Sequence, residues 1–253
     1  MTPRSINRRQ ALTLLGAGVG AAALGACGAG GSSTDEAEEA STSSTASSTA
    51  AAAGGLDPAQ FAAATTCKAT VEQTEGPYYI DVDKIRSDIR EDREGTMLRV
   101  GARVLDTDGC TPVANAVFEI WHCDAEGLYS GFESASTGGG GRGVSDAKRY
   151  LRGAQVTDAN GIAVITTIYP GWYTGRSVHI HAKVALTNTE LLTTQLYFDD
   201  ALTDDVFKAE PYASNTGTRT RNSSDGIYRA GPTLTITPEA EGYLGLITIG
   251  VDA

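Results

Sequence analysis

Tyr173, His179 and His181 place a phenol and two imidazoles within nine residues of a chain that has three histidines. They lie in the run Pro170-Gly171-Trp172-Tyr173-Thr174-Gly175-Arg176-Ser177-Val178-His179-Ile180-His181. Neutral imidazole is a common metal ligand, and a phenolate adds a hard anionic oxygen. Residues two apart on a strand leave the same face, so His179 and His181 can converge on one ion. A His-x-His pair alone is as often a surface or core feature. Tyr173, Arg176 and a further tyrosine, Tyr129, raise the metal reading above that. Tyr129 closes the run Trp121-His122-Cys123-Asp124-Ala125-Glu126-Gly127-Leu128-Tyr129, at a strand end entering a glycine-containing turn. Read alone, Tyr129 is a packed aromatic with a hydrogen-bonded hydroxyl. Trp121 and His122 read as structural, in reach of supporting a ligand, and Arg152 and Lys183 as solvated charges or ion-pair partners.

The elements that position these groups are strands. Leu98, Val100, Ala102 and Val104 alternate with Arg99, Gly101 and Arg103, the period of a half-buried strand. Similar runs cover residues 116–122, 161–168, 179–186, 191–198, 233–237 and 243–250, with turn residues between them. Seven short strands predict a mainly β fold, an antiparallel β-sandwich with long irregular loops. Helix is confined to a turn or so near residues 200–207. In the strand at 179–186, Ile180, Ala182, Val184 and Leu186 form an apolar face and the histidines take the other. A metal would then sit beside the core. Residues 133–144 and 210–229 resist a strand reading, and such loops usually carry binding surface.

Residues 1–27 read as a twin-arginine-type export signal: Arg8-Arg9 precede a short apolar run closed by Leu24-Gly25-Ala26-Cys27. The ending matches a lipobox, with Cys27 as the lipidated first residue of a protein tethered outside the cell membrane. An ordinary cleaved signal ending near Ala26 is the alternative. Residues 28–55, rich in Ser, Thr, Ala and Gly around an acidic cluster at 35–39, cannot bury a core and read as a flexible stalk. Residues 56–253 are the right size for one domain with a sizeable core.

The formal charge is -11, and it becomes -14 once Arg4, Arg8 and Arg9 leave with the signal, which weighs against nucleic acid as a partner. Export permits disulfides among Cys67, Cys110 and Cys123. Three pairings are open, as is a fully reduced set. Cys110–Cys123 is the least favoured, because those residues flank one predicted strand.

Taken with Thr74-Glu75-Gly76-Pro77-Tyr78-Tyr79 and Tyr150-Leu151-Arg152-Gly153, these motifs make the chain resemble the intradiol ring-cleavage dioxygenases, over most of residues 74–198 and in the family's order. It is most similar to compact secreted members, because it lacks a helical N-terminal dimerisation region. The resemblance implies a non-haem Fe(III) held by Tyr129, Tyr173, His179 and His181. It implies that Arg176 stabilises charge on the substrate and that Gln195 helps position that arginine. Pro77 and Tyr78 would line the substrate pocket. The implied reaction opens a catecholic ring with O2 between its two hydroxyl-bearing carbons, giving a cis,cis-muconate that keeps both oxygen atoms. The resemblance also implies that Tyr173 can act as a base. Nothing in Arg176 selects among catechol, protocatechuate, hydroxyquinol and larger aromatics. Ser177 departs from the proline often found after the arginine, and five residues between Tyr173 and His179 make a short connection. The rival reading is a non-catalytic exported module that binds metal or an aromatic ligand. A metal-dependent hydrolase would use a carboxylate or a metal-bound water in place of phenolates.

Overall fold

The computed structural model describes residues 55–61, 67–134, 143–228 and 231–253. The export signal, Cys27 and the stalk expected over residues 1–55 lie outside these residues apart from Gly55, as does the glycine run at 138–141. No helix among the described residues is long and apolar enough to cross a membrane.

The fold is a sandwich of two four-stranded sheets. Its strands are β1 (Met97–Asp106), β2 (Val117–Trp121), β3 (Arg152–Val156), β4 (Ile162–Ile168), β5 (His179–Leu186), β6 (Thr189–Tyr197), β7 (Thr235–Glu239) and β8 (Gly242–Val251). One sheet has the order β4-β1-β8-β7, the other β3-β2-β5-β6. All named pairs are antiparallel except β1 with β8, which run parallel. Seven of these strands fall where the alternation places them. The eighth, β3, does not alternate: its sequence Arg-Gly-Ala-Gln-Val carries a charge and a glycine, yet Arg152, Gly153 and Ala154 are buried. The hairpin between β5 and β6 turns on Thr187 and Asn188, both at positive φ (52° and 65°), the geometry whose twist matches the flanking strands. The expected helical turn is α1 (Asp200–Val206), capped by the Asp199 carboxylate, which accepts from the N–H groups of Ala201 and Leu202.

The main core lies between the sheets. Val100, Ala102 and Val104 of β1, Ala163 and Ile165 of β4 and Ile249 of β8 meet Phe118 and Ile120 of β2, Ile180, Ala182 and Val184 of β5, and Leu192 and Leu196 of β6. The opposite face of the second sheet carries Glu119, Trp121, His179, His181, Lys183, Thr193 and Gln195, and alternation alone assigns such a polar face to solvent. It is buried instead. Residues 67–89 cross over it: Gln73 N–H donates to Thr193 O (2.9 Å), Thr194 Oγ1 donates to Val71 O (2.8 Å), and Ile85 bridges Ala154 on β3. The start of this strap is fixed by a disulfide between Cys67 and Cys110, which leaves Cys123 a free, buried thiol.

Candidate metal centre

Four side chains converge under that strap. Tyr129 and Tyr173 come from two loops that pack backbone against backbone. Gly127, at φ +87°, has room for no side chain, since a Cβ there would lie 2.3 Å from Trp172 O. Gly171 N–H in turn donates to Asp124 O at 3.0 Å. The Asp124 carboxylate shapes the first loop by accepting from the N–H groups of Glu126 (3.0 Å) and Leu128 (2.9 Å). This interlock brings the two phenol rings to 5.8 Å.

His179 opens β5, and its Nδ1 lies 2.6 Å from Ser177 O. A carbonyl only accepts, so Nδ1 carries the proton and Nε2 presents a lone pair to the pocket. Around that Nε2 lie Tyr129 Oη at 3.5 Å, Tyr173 Oη at 3.4 Å, Arg176 Nη1 at 3.5 Å and His181 Nε2 at 3.2 Å. His181 is stacked on Trp121, ring centroids 5.0 Å apart. Its Nδ1 is buried without a hydrogen-bond partner among the described residues.

Burial decides the charges. It pushes both phenols of Tyr129 and Tyr173 upward, and it pulls His179 down to about 3 and His181 well below its usual value. The pocket therefore collects lone pairs and no cationic imidazole. Two imidazole nitrogens that close, with two phenol oxygens beside them, suit a cation better than a hydrogen-bond network, because a bound ion reverses the cost of the phenolates. Tyr129 and Tyr173 supply the oxygen donors of such a site. Among the described residues, no three of His, Cys, Asp and Glu cluster to hold a metal.

Arg176 and Gln195 are in contact: Arg176 Nη2 donates to Gln195 Oε1, which also accepts from Tyr197 Oη at 3.1 Å, while Gln195 Nε2 donates to Thr74 O at 2.8 Å. Tyr78 lies over Tyr129, with centroids 4.6 Å apart and 6.3 Å from Tyr173. Its neighbour Pro77 is exposed. His122 stands apart from the four, with Nδ1 2.7 Å from Cys123 O and Nε2 2.7 Å from Thr167 Oγ1, a structural histidine with both nitrogens occupied. Lys183 pairs with Glu75 (2.7 Å) and Glu190 (3.1 Å) but is buried, not solvated.

Arg152 is neither solvated nor part of an ion pair within 4.0 Å among the described residues. It is 1% exposed, its Nε donates to Ser130 Oγ (2.9 Å) and its Nη2 to Ser130 O (2.8 Å). Its guanidinium carbon lies 5.9 Å from the centre of the Tyr129 ring. Burial lowers its pKa to about 10, so it stays cationic behind Tyr129 at neutral pH. Alternation could not find Arg152, and Asp225, which holds Arg176 at 3.0 Å, sits in a polar loop with no periodic signal.

Comparison with known proteins bears on the family and the fold. A protein-family profile described as Dioxygenase matches residues 74–229, which contain the four convergent side chains. An intradiol ring-cleavage dioxygenase from Tetranychus urticae superposes with a TM-score of 0.69 at 32% identity, covering 74% of this chain and 95% of that one. The dioxygenase domain of a dioxygenase–carbohydrate-binding fusion from a Streptomyces species gives a TM-score of 0.56 at 25% identity, covering 74% and 99%. Catechol 1,2-dioxygenase of Acinetobacter baylyi is 30% identical over 161 residues, 54% of this chain and 49% of that relative. The chain spans about half the length of the curated relatives it matches. With its profile match covering well over half the sequence, the chain belongs to the intradiol ring-cleavage dioxygenase family.

Proposed function

We propose that this protein is a non-haem Fe(III)-dependent dioxygenase that opens a catecholic ring with O2 between its two hydroxyl-bearing carbons, giving a cis,cis-muconate-type product. The observation that carries the reading is the approach of Tyr129 Oη, Tyr173 Oη and His181 Nε2 to within 3.2–3.5 Å of His179 Nε2. Two phenolates and two neutral imidazoles are a hard, anionic donor set that favours a trivalent ion. The catechol 1,2-dioxygenases among its relatives support a catechol as the substrate class.

Tyr129, Tyr173, His179 and His181 would hold the ion, which when bound supplies the Lewis acidity that lets a catechol ionise and its ring react with oxygen. Tyr173 is part-exposed whereas Tyr129 is fully buried, so Tyr173 Oη is the phenol placed to accept a substrate proton. Arg176 Nη1 faces the same space, where a fixed guanidinium stabilises negative charge on the substrate oxygens. Tyr78 walls one side and, with the strap, limits water around the reacting groups.

Export fits the same reading. Arg8-Arg9 and the lipobox at Cys27 support delivery outside the cytoplasm with a lipid anchor, and a Cys67–Cys110 bridge suits an oxidising compartment.

The test is the visible spectrum of the iron-loaded protein before and after anaerobic catechol, followed by admission of oxygen. The expected result is a red-brown phenolate-to-ferric band that moves to longer wavelength with catechol. Oxygen should then give ring-opened product carrying both atoms of labelled O2. A colourless protein that leaves catechol intact would favour the non-catalytic binding module and overturn the proposal.

A further inference from the structure

Arg176 is held by a carboxylate 49 residues further along the chain. Its Nε donates to Asp225 Oδ2 at 3.0 Å. The same oxygen accepts the Ser177 backbone N–H at 2.9 Å and the Ser177 hydroxyl at 2.9 Å, and Oδ1 accepts the Ile227 N–H at 2.8 Å. The Asp225 side chain is 1% exposed and that of Arg176 15%. A buried carboxylate with four donors has one stable orientation, because turning it would strand several buried polar groups at once.

The guanidinium is thereby gripped at two places. Asp225 takes Nε and Gln195 Oε1 takes Nη2, which leaves Nη1 turned toward His179 Nε2 at 3.5 Å. An arginine with free torsions would spread its charge over many positions, and one fixed in place offers it where anionic oxygens must sit. Among the described residues Asp225 makes no hydrogen bond to a member of the convergent set. It meets the site through Arg176 and through Ser177, which gives it two of its four donors and whose carbonyl lies 2.6 Å from His179 Nδ1.

We propose that Asp225, oriented by Ser177, is the positioning residue that aims Arg176 at the anionic catecholate. The inference rests on the ring-cleavage reading for its purpose, though the grip itself can be measured without turnover.

The experiment compares full-length wild type, D225N, S177A and R176A, together with the R176A/D225N double variant. Iron content and melting temperature are recorded alongside kcat and KM for catechol. D225N is expected to keep its iron and its ferric colour while kcat/KM falls about 10- to 100-fold. S177A should lose less, since one of four donors is removed. In the R176A background the D225N change should alter kcat/KM by no more than about twofold, because the guanidinium it aims is gone, and iron content equal to that of R176A shows that the Ser177 carbonyl still holds His179. An equal loss in both backgrounds would show a general structural role and overturn the inference. The second readout is the side-chain N–H resonance of Arg176, expected to be protected from exchange in wild type and lost in D225N. A resonance unchanged in D225N also overturns the inference. Failure of the wild type to consume catechol overturns the ring-cleavage reading instead, and the resonance then decides whether the grip exists.

Discussion

The indole of Trp121 lies parallel to the imidazole of His181, planes 7° apart and centroids 5.0 Å apart, on strands whose register sets the two residues side by side. The stack fixes a ring whose Nδ1 has no hydrogen-bond partner among the described residues. Packing therefore does for His181 what the Ser177 carbonyl does for His179. Trp121→Leu should free the imidazole and weaken iron retention about 10-fold or more, measured by competition with a chelator. Iron retention equal to wild type would show that the stack is incidental.

Gly76 supplies the roof over the same ring. Its φ is +76°, and a Cβ built there would lie 3.0 Å from His181 Cε1. Gly76→Val combines a poor backbone conformation with a branched side chain aimed at a fixed imidazole, and about 1–3 kcal/mol of stability should be lost. The ferric band should also shift or fade. A variant with wild-type colour and melting temperature would mean that the strap yields at no cost to His181.

The two tyrosines should respond differently to loss of the hydroxyl. Tyr173→Phe is expected to keep iron, change colour and lose at least about 100-fold in kcat, since it removes both a donor and the proposed proton acceptor. Tyr129→Phe, at a fully buried position beside Arg152, should instead lose most of the iron. Parallel iron analysis and kinetics on the two variants distinguish the roles. Equal behaviour would contradict the division between an accessible and a buried phenol.

Alternation exposed most of this architecture because most of the strands have one face against a common apolar core. It also put His179 and His181 on one face, opposite Ile180 and Ala182, where the structure has them. What alternation cannot see is a second layer. The face bearing Glu119, Lys183 and the histidines is polar and buried because residues 67–89 cover it and satisfy its groups, a contact between segments about 100 residues apart. Strand β3 was hidden for a related reason: Arg152 is buried through bonds to Ser130, so its chemistry disguises its location. Spacing left three cysteine pairings open, since which loops approach is a property of the assembled sandwich.

Glu119 gives the second layer a pH signature. Its carboxylate accepts from Tyr79 Oη at 3.2 Å, and burial raises its pKa from 4.5 to about 7 despite Lys183 nearby. Asp81 adds repulsion while Arg152 offsets it. The folded state thus prefers the neutral acid. Its contribution is fully present below about pH 4.5, declines as the unfolded chain ionises, and is gone once pH passes about 7. Relative to Glu119→Gln, wild-type stability should fall by up to about 3 kcal/mol across that window and level off above it. Denaturant unfolding of both proteins from pH 4 upward checks this, and parallel curves would show that Glu119 is ionised when folded.

The Cys67–Cys110 bridge closes a loop with a sequence separation of 43, and it ties the start of the strap to the turn between β1 and β2. Chain-entropy arguments assign about 4 kcal/mol to a loop of that length. The strap has other attachments nearby: Thr70 N–H donates to Gly250 O (2.9 Å) and Gly250 N–H to Thr70 Oγ1 (2.9 Å). Removing the bridge should therefore leave a folded domain with a loosened cover. The Cys67→Ser/Cys110→Ser double variant is expected to melt earlier and to expose the amides of residues 70–76 to faster hydrogen exchange. KM for catechol should rise more than kcat falls, because Gly76 and Tyr78 lie downstream on the same strap and shape the pocket without supplying its convergent donors. Exchange faster throughout the sandwich would place the bridge's effect on global stability, and unchanged exchange in the strap would show that the hydrogen bonds to Gly250 and Thr193 suffice to hold it.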